Sequence, residues 1–217
     1  MTVSSINSTH SAFISIEGMD GAGKTSVMQI IAEWIEERGV RCVITREPGG
    51  TPLAEELRHI LLTPREESIH PDTELLLMMA ARNQHVKTHI QPQLAQGHWV
   101  VSDRFYDASY AYQGGGRGMS LSRIASLHDW ALDGFKPDLT LLLDLPVAIG
   151  KARVSGRGEA QTRFEEEQMA FFESVRSAYL ARAEVEPDRI KVIDASKTQI
   201  EVQQAVLACL KQQFGDL

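Results

Sequence analysis

The chain has 217 residues, 43% hydrophobic and 24% charged, with a net charge of −7 and two cysteines. This is the profile of one globular domain with room for a substantial core. The acidic balance argues against non-specific nucleic-acid binding but leaves room for a local basic pocket that takes a small phosphate ester.

Met1 to Ala12 is polar and rich in Ser and Thr, with neither a basic start nor an apolar run. It does not read as a secretory signal and is expected to be a disordered leader on a cytoplasmic protein. No later stretch has the length and apolarity of a bilayer span, so no membrane association is expected. Phe13-Ile14-Ser15-Ile16-Glu17 predicts a strand, and Val27, Ile30, Ile31, Trp34 and Ile35 recur at helical spacing over 24–38. Between them, Gly18-Met19-Asp20-Gly21-Ala22-Gly23-Lys24-Thr25 fits Gly-x-x-x-x-Gly-Lys-Ser/Thr, the phosphate-binding P-loop. Glycine enters the tight turns of such a loop without a Cβ penalty, so successive backbone N–H groups can face a polyphosphate. Lys24 then reaches the β- and γ-phosphates, Thr25 offers a hydroxyl to Mg²⁺, and the helix N-terminus favours the same anion.

A second strand over 41–45 runs into Arg46-Glu47-Pro48-Gly49-Gly50-Thr51-Pro52, a constrained loop carrying opposite charges just past a strand end. Those charges are either a solvated ion pair or part of a site. Helical patterns follow at 51–62 and 72–96, the second with Leu75 to Met79 as core and Arg82 close enough to an apolar face to suggest a polar pocket. The third strand, 99–102, leads into Asp103-Arg104. Asp103 can hold Mg²⁺ directly or through water, and the guanidinium fork of Arg104 suits a phosphate. In Asp107 to Gly118, small polar groups, Tyr110, Tyr112 and Gln113 could enclose a nucleobase and its sugar, while Gly114-Gly115-Gly116 permits unusual backbone or motion. A flexible surface loop is the alternative.

After a helix at 120–134 and a strand at 139–143, Arg153 to Arg163 holds Arg153, Arg157 and Arg163 among glycines. Such a run is usually a solvated charge patch. In a phosphoryl-transfer enzyme it can instead close over the nucleotide, exclude water and stabilise the transferring group. A helix at 165–183, a strand at 189–194 and a helix at 198–213 complete the chain. Cys42 and Cys209 lie in apolar stretches and read as buried reduced thiols. His59, His70, His85, His89, His98 and His128 form no metal-ligand pattern and receive no role.

The alternation predicts an α/β protein with a five-stranded parallel sheet and helices on both faces. With the P-loop this is expected to be a three-layer fold of the P-loop NTPase type, with the Arg153–Arg163 run as its mobile lid. Ligands in such sheets bind beyond the strand C-terminal ends, where these motifs fall.

With those residues in view, the chain from Phe13 onward resembles the bacterial thymidylate kinases. The resemblance is carried by Glu17-Gly18-x-Asp20-Gly21-Ala22-Gly23-Lys24-Thr25, Thr45-Arg46-Glu47-Pro48-Gly49-Gly50-Thr51, Ala80-Ala81-Arg82, Asp103-Arg104 and Ala111-Tyr112-Gln113-Gly114-Gly115-Gly116-Arg117-Gly118. It implies a single kinase domain over 13–217 with a lid at about 153–164, transferring the ATP γ-phosphoryl to dTMP in dTTP synthesis, de novo and salvage. It implies that Gly18 to Thr25 bind ATP, with Met19 and Ala22 among the variable positions. Lys24, Asp20, Arg104 and a lid arginine, Arg157 or Arg163, would carry catalysis, and Thr25 and Asp103 would hold Mg²⁺. Arg46, Pro48, Met78, Arg82, Arg104, Ser109, Tyr112 and Gln113 would bind dTMP, with Arg82 on the base and Tyr112 crowding the sugar 2′ position. Met78 stands where many members stack a phenylalanine on the base. A homodimer is implied by the same resemblance. Two rivals remain: a kinase for another nucleotide or a deoxynucleoside, and a GTPase-like switch. The second lacks a guanine-reading Asn-Lys-x-Asp motif, with Leu143-Asp144-Leu145-Pro146 at a late strand end instead.

Overall fold

The computed structural model describes residues 11–155, 163–164 and 167–215. Among them, β1 (Phe13–Glu17), β2 (Cys42–Arg46), β3 (Trp99–Asp103), β4 (Leu139–Asp144) and β5 (Ile190–Asp194) form a five-stranded parallel sheet. The strand order is β2-β3-β1-β4-β5. β1 and β4 are almost wholly buried because helices cover both faces, and this is why their sequences are nearly continuous apolar runs.

Alternation along β1 divides the core. Ile14 and Ile16 join Ile31 and Ile35 of α1 (Lys24–Glu36) and Val206 and Leu210 of α9 (Gln199–Phe214). Phe13 joins Leu75 and Met79 of α3 (Pro71–His85) and Ile124 of α6 (Leu121–Leu132). A third cluster sets Leu142 against Phe172, Val175 and Tyr179 of α8 (Met169–Val185). Each such side chain, fully buried, contributes about 1.5–3 kcal/mol over leaving it in water.

The expected helix over 72–96 is three pieces: α3, a π-helical turn at Val86–Ile90, and α4 (Gln91–Ala95). Pro92 has no N–H to donate, and in a regular turn its ring meets the carbonyl four residues back. The widened turn, in which Gln91 N–H donates to Val86 O, relieves that conflict. The stretch expected as a possible flexible loop is also helical, with α5 at Tyr106–Ser109 and a π-helix at Tyr110–Gly116. Its glycines serve packing. A Cβ on Gly115 would lie 2.6 Å from Ala178 Cβ and 2.7 Å from Ser174 O, both on α8. Helix α7 (Val147–Ser155) was not expected; it begins just after Pro146 and carries Arg153 in its last turn.

Ala12, placed in the leader by its sequence, is buried, and its carbonyl accepts from Val100 N–H. Residues 1–10, and residues 156–162 of the expected lid with Arg157 among them, lie outside the described residues. Cys42 and Cys209 are free and half-buried. No helix among the described residues is long and apolar enough to cross a membrane.

Candidate active site

The register of the sheet aligns Ile16 of β1 with Asp103 of β3, and Asp103 with Arg46 of β2. The segments leaving these three strands therefore emerge side by side: Gly18 to Thr25, Glu47 to Thr51, and Arg104 to Ser109. In the first, Gly18 has φ +130°, and a Cβ there would lie 2.5 Å from Leu143 O. Gly21 has φ +84°, and its Cβ would lie 2.6 Å from Gly150 O of α7. Both positions need glycine for the turn and for the approach of a neighbouring backbone.

Lys24 is only 6% exposed, and its Nζ lies 3.2 Å from Met19 O, 3.3 Å from Asp20 Oδ1 and 3.8 Å from Asp103 Oδ1. Asp20 Oδ1 also accepts from Arg104 Nη2 at 2.8 Å. Burial opposes ionisation of Asp20, yet Arg104 and Lys24 outweigh it and hold the carboxyl well below the usual carboxylate range. Asp103 Oδ1 is buried without a hydrogen-bond partner among the described residues, and Thr25 stands exposed in the first turn of α1. An orphaned carboxylate oxygen and a hydroxyl beside a polyphosphate loop fit Mg²⁺, a hard cation that takes one or two carboxylates and keeps water.

Arg104 has φ +67°, a left-handed conformation that costs a non-glycine residue roughly 1–2 kcal/mol. Its neighbours hold it there. Arg104 N–H donates to Ile16 O at 2.9 Å, Ser102 Oγ donates to Arg104 O at 2.7 Å, and Phe105 N–H donates to Glu17 Oε1 at 2.7 Å. Glu17 is fully buried, and its other oxygen accepts from Tyr179 at 2.7 Å. Burial, followed by the charge of Asp107, raises its pKa to about 8. The turn aims the Arg104 guanidinium at Asp20 and at Tyr112 Oη, 3.1 Å away. Burial also raises the Tyr112 phenol to about 12, so it stays neutral and accepts that bond.

Beyond Arg104 opens a cavity of about 310 Å³. Asp20, Pro48, Met78, Arg82, Asp103, Arg104, Ser109, Tyr112 and Gln113, scattered over some ninety residues, all line it. Arg82 is buried in its wall, donating through Nε to Glu47 Oε2 at 2.5 Å, through Nη1 to Ser109 Oγ at 2.8 Å and through Nη2 to Phe105 O at 3.0 Å. Gln113 donates to Glu74 Oε1 at 2.8 Å.

Two expected residues sit elsewhere. Arg46, the last residue of β2, is half-exposed, pairs with Glu55 at 3.0 Å and does not line the cavity. Its sequence neighbour Glu47 is buried and binds Arg82 and His85, so the two charges read as a possible pair are not paired with each other. Arg163 donates through Nη2 to Glu74 Oε2 at 2.5 Å and through Nε to Leu61 O at 3.0 Å, tying its own position, near the end of the expected lid, to α2 (Pro52–Leu62) and α3. Arg153, in contrast, donates to Gly21 O at 3.2 Å within the P-loop.

Arg58, Phe164 and Leu62 line the cavity without having been expected there, and Glu74, His85 and His128 support its walls from behind. For Glu74 and His85 the trace in the sequence is helical phase. Glu74, Met78, Arg82 and His85 recur every three or four residues on α3, so they share one side of the helix.

Residues 16–206 match the family model described as thymidylate kinase. A thymidylate kinase of Pseudomonas fluorescens (strain SBW25) is 53% identical over 198 residues, 91% of this chain and 94% of the relative. One from Ruthia magnifica is 50% identical over 199 residues, 92% and 97% of the two chains. The crystal structure of thymidylate kinase from Ehrlichia chaffeensis is similar with a TM-score of 0.74 and 33% identity, covering 92% of this chain and 98% of that one. The P-loop, the basic cavity beside it and this likeness along almost the whole length agree: the chain belongs to the thymidylate kinase family.

Proposed function

We propose that the protein transfers the γ-phosphoryl group of ATP to the 5′-phosphate of dTMP, giving dTDP and ADP, in the de novo and salvage supply of dTTP. The observation that carries this reading is the meeting of Lys24 and Arg104 on Asp20 Oδ1, at 3.3 and 2.8 Å, where the P-loop opens into the cavity. A donor triphosphate on the loop and an acceptor phosphate on Arg104 would face each other across that junction.

The acceptor is already a phosphate anion, so the site needs alignment and positive charge rather than a strong base. Lys24 supplies charge on the donor side and Arg104 on the acceptor side, while Asp20 holds both cations in register. Mg²⁺, held by Thr25 and Asp103 and by the nucleotide, would neutralise charge on the transferred group. Arg82 offers an N–H to the base edge, Tyr112 closes over the sugar, and Met78 packs on the ring face with its thioether. The anchoring of Arg163 on Glu74 supports a strut role for it and favours Arg157 as the lid arginine at the transferring phosphoryl.

We further infer a cytoplasmic homodimer. The groove between α3 and α6, lined by Leu75, Leu76 and Leu127 with Trp130 82% exposed nearby on α6, supports self-association. Sedimentation of the purified protein tests it, and a monomer at micromolar concentration refutes it.

The activity is tested by ADP release with dTMP, dUMP, dCMP, dGMP and thymidine as acceptors. The expected result is highest kcat/KM with dTMP and none with thymidine, which lacks the 5′-phosphate. Equal rates across the panel, or turnover with thymidine alone, contradict the proposal.

A further inference from the structure

Arg82 carries five N–H groups in a rigid fork and cannot accept a hydrogen bond. Four have partners: Glu47 Oε2 on Nε, Ser109 Oγ and His128 Nε2 on Nη1, and Phe105 O on Nη2. The remaining Nη2 hydrogen has no partner among the described residues, and it belongs to a side chain that lines the cavity. What fixes the plane of this guanidinium therefore decides what the cavity offers a base.

His128 lies on α6, across from α3, and is buried. Because Arg82 can only donate, the 3.2 Å contact makes Nε2 the acceptor, which places the ring proton on Nδ1. Tyr106 and Tyr110 hold the ring edge-on, with centroids 5.1 and 5.2 Å away. Burial, with Arg82 and Arg182 adding to it, pushes the imidazole pKa down to about 2, so the acceptor persists at neutral pH.

We propose that His128 is a positioning residue for base selection: by accepting one Nη1 hydrogen, it leaves Arg82 presenting a single fixed N–H to the pyrimidine. One donor at that place suits a ring carbonyl and opposes an exocyclic amine, so thymine and uracil are accepted and cytosine is rejected. The assignment rests on the pyrimidine monophosphate reading above. Without His128, the guanidinium gains a second unpartnered N–H and freedom to tilt. A water accepting from it can then receive a hydrogen from an amine, and discrimination relaxes.

The test compares His128→Leu with His128→Gln, whose amide oxygen can stand where Nε2 stood. Expected for the Leu variant is about a tenfold higher KM for dTMP, kcat within about threefold, and a dTMP-to-dCMP ratio of kcat/KM reduced about tenfold. The Gln variant should stay within about threefold of the parent in both. If His128 only fills space between the two tyrosines, the folded Leu variant keeps the KM and the ratio, and the proposal fails. It also fails if the Gln variant is as impaired as the Leu variant. Nitrogen NMR of the unmodified protein reads the contact without a variant. Nε2 should be unprotonated and the ring neutral at pH 7, and an imidazolium or a proton on Nε2 overturns the assignment. Absence of dTMP phosphorylation by the parent protein would instead refute the proposed activity, and the NMR result would still decide the contact.

Discussion

Replacing Gly115 by Ala distinguishes a packed helix from a mobile loop, because the two readings predict opposite signs. The added methyl would meet Ala178 Cβ at 2.6 Å and Ser174 O at 2.7 Å. Neither is the free end of a side chain, so relief requires the π-helix Tyr110–Gly116 to move off α8. Overpacking of this kind costs about 1–3 kcal/mol. The better backbone entropy of Ala in a helix returns roughly 0.5–1 kcal/mol. The net loss is therefore on the order of 1–2 kcal/mol, a fall in Tm of roughly 2–8 °C for a chain of this size. The moving segment carries Tyr112 and Gln113, so the KM for dTMP should rise several-fold while that for ATP hardly changes. Were the segment a flexible loop, the same substitution would stabilise the protein by about 0.4–1 kcal/mol through the unfolded chain. Scanning calorimetry with steady-state kinetics decides it: an equal or higher Tm with unchanged KM for dTMP refutes the packing argument.

Lys24→Ala should lower kcat by at least about a hundredfold while leaving the circular dichroism spectrum intact, since it removes the ammonium that offsets charge on the transferred phosphoryl and leaves the apolar core clusters unchanged. Near-parental turnover in the folded variant contradicts that role. Arg163→Met should lower Tm and raise the KM for dTMP through loss of its bond to Glu74, with kcat within about tenfold; a drop in kcat of about a thousandfold at saturating substrate would make Arg163 the transferring arginine instead. Glu17 has its folded pKa raised to about 8, by burial first and the Asp107 charge second, against an ordinary value near 4.5. The native state keeps a proton that the unfolded chain releases, so this group's contribution is full below about pH 4.5 and is lost as pH rises toward 8. Glu17→Gln should flatten the decline of Tm between pH 5.5 and 8.5, and an unaltered slope shows that Glu17 does not cause it.

β1, β3 and β4 were legible because burial on both faces leaves nearly continuous apolar runs, and all five strands begin and end within a residue or so of their sequence signals. The P-loop was legible because its chemistry demands fixed residue types at fixed spacing. Tyr110–Gly116 was harder to read, since glycine signals both freedom and close approach, and only α8, some sixty residues away, tells which. Arg46 and Glu47 show the same limit at a site. Adjacent charges at a strand end look equivalent in sequence, yet the alternation of side chains sends Arg46 outward to Glu55 and Glu47 inward to Arg82. His85 and His128 carry no motif because they act on other side chains rather than on a ligand, and contacts of that kind leave no spacing rule.

The central claim is that a phosphoryl group crosses from the P-loop to a monophosphate held by Arg104. Incubation with ATP labelled at the γ-phosphorus and unlabelled dTMP tests it directly. The label should appear at the β-phosphorus of dTDP, in equal amount to the ADP formed, whereas label confined to inorganic phosphate would contradict it.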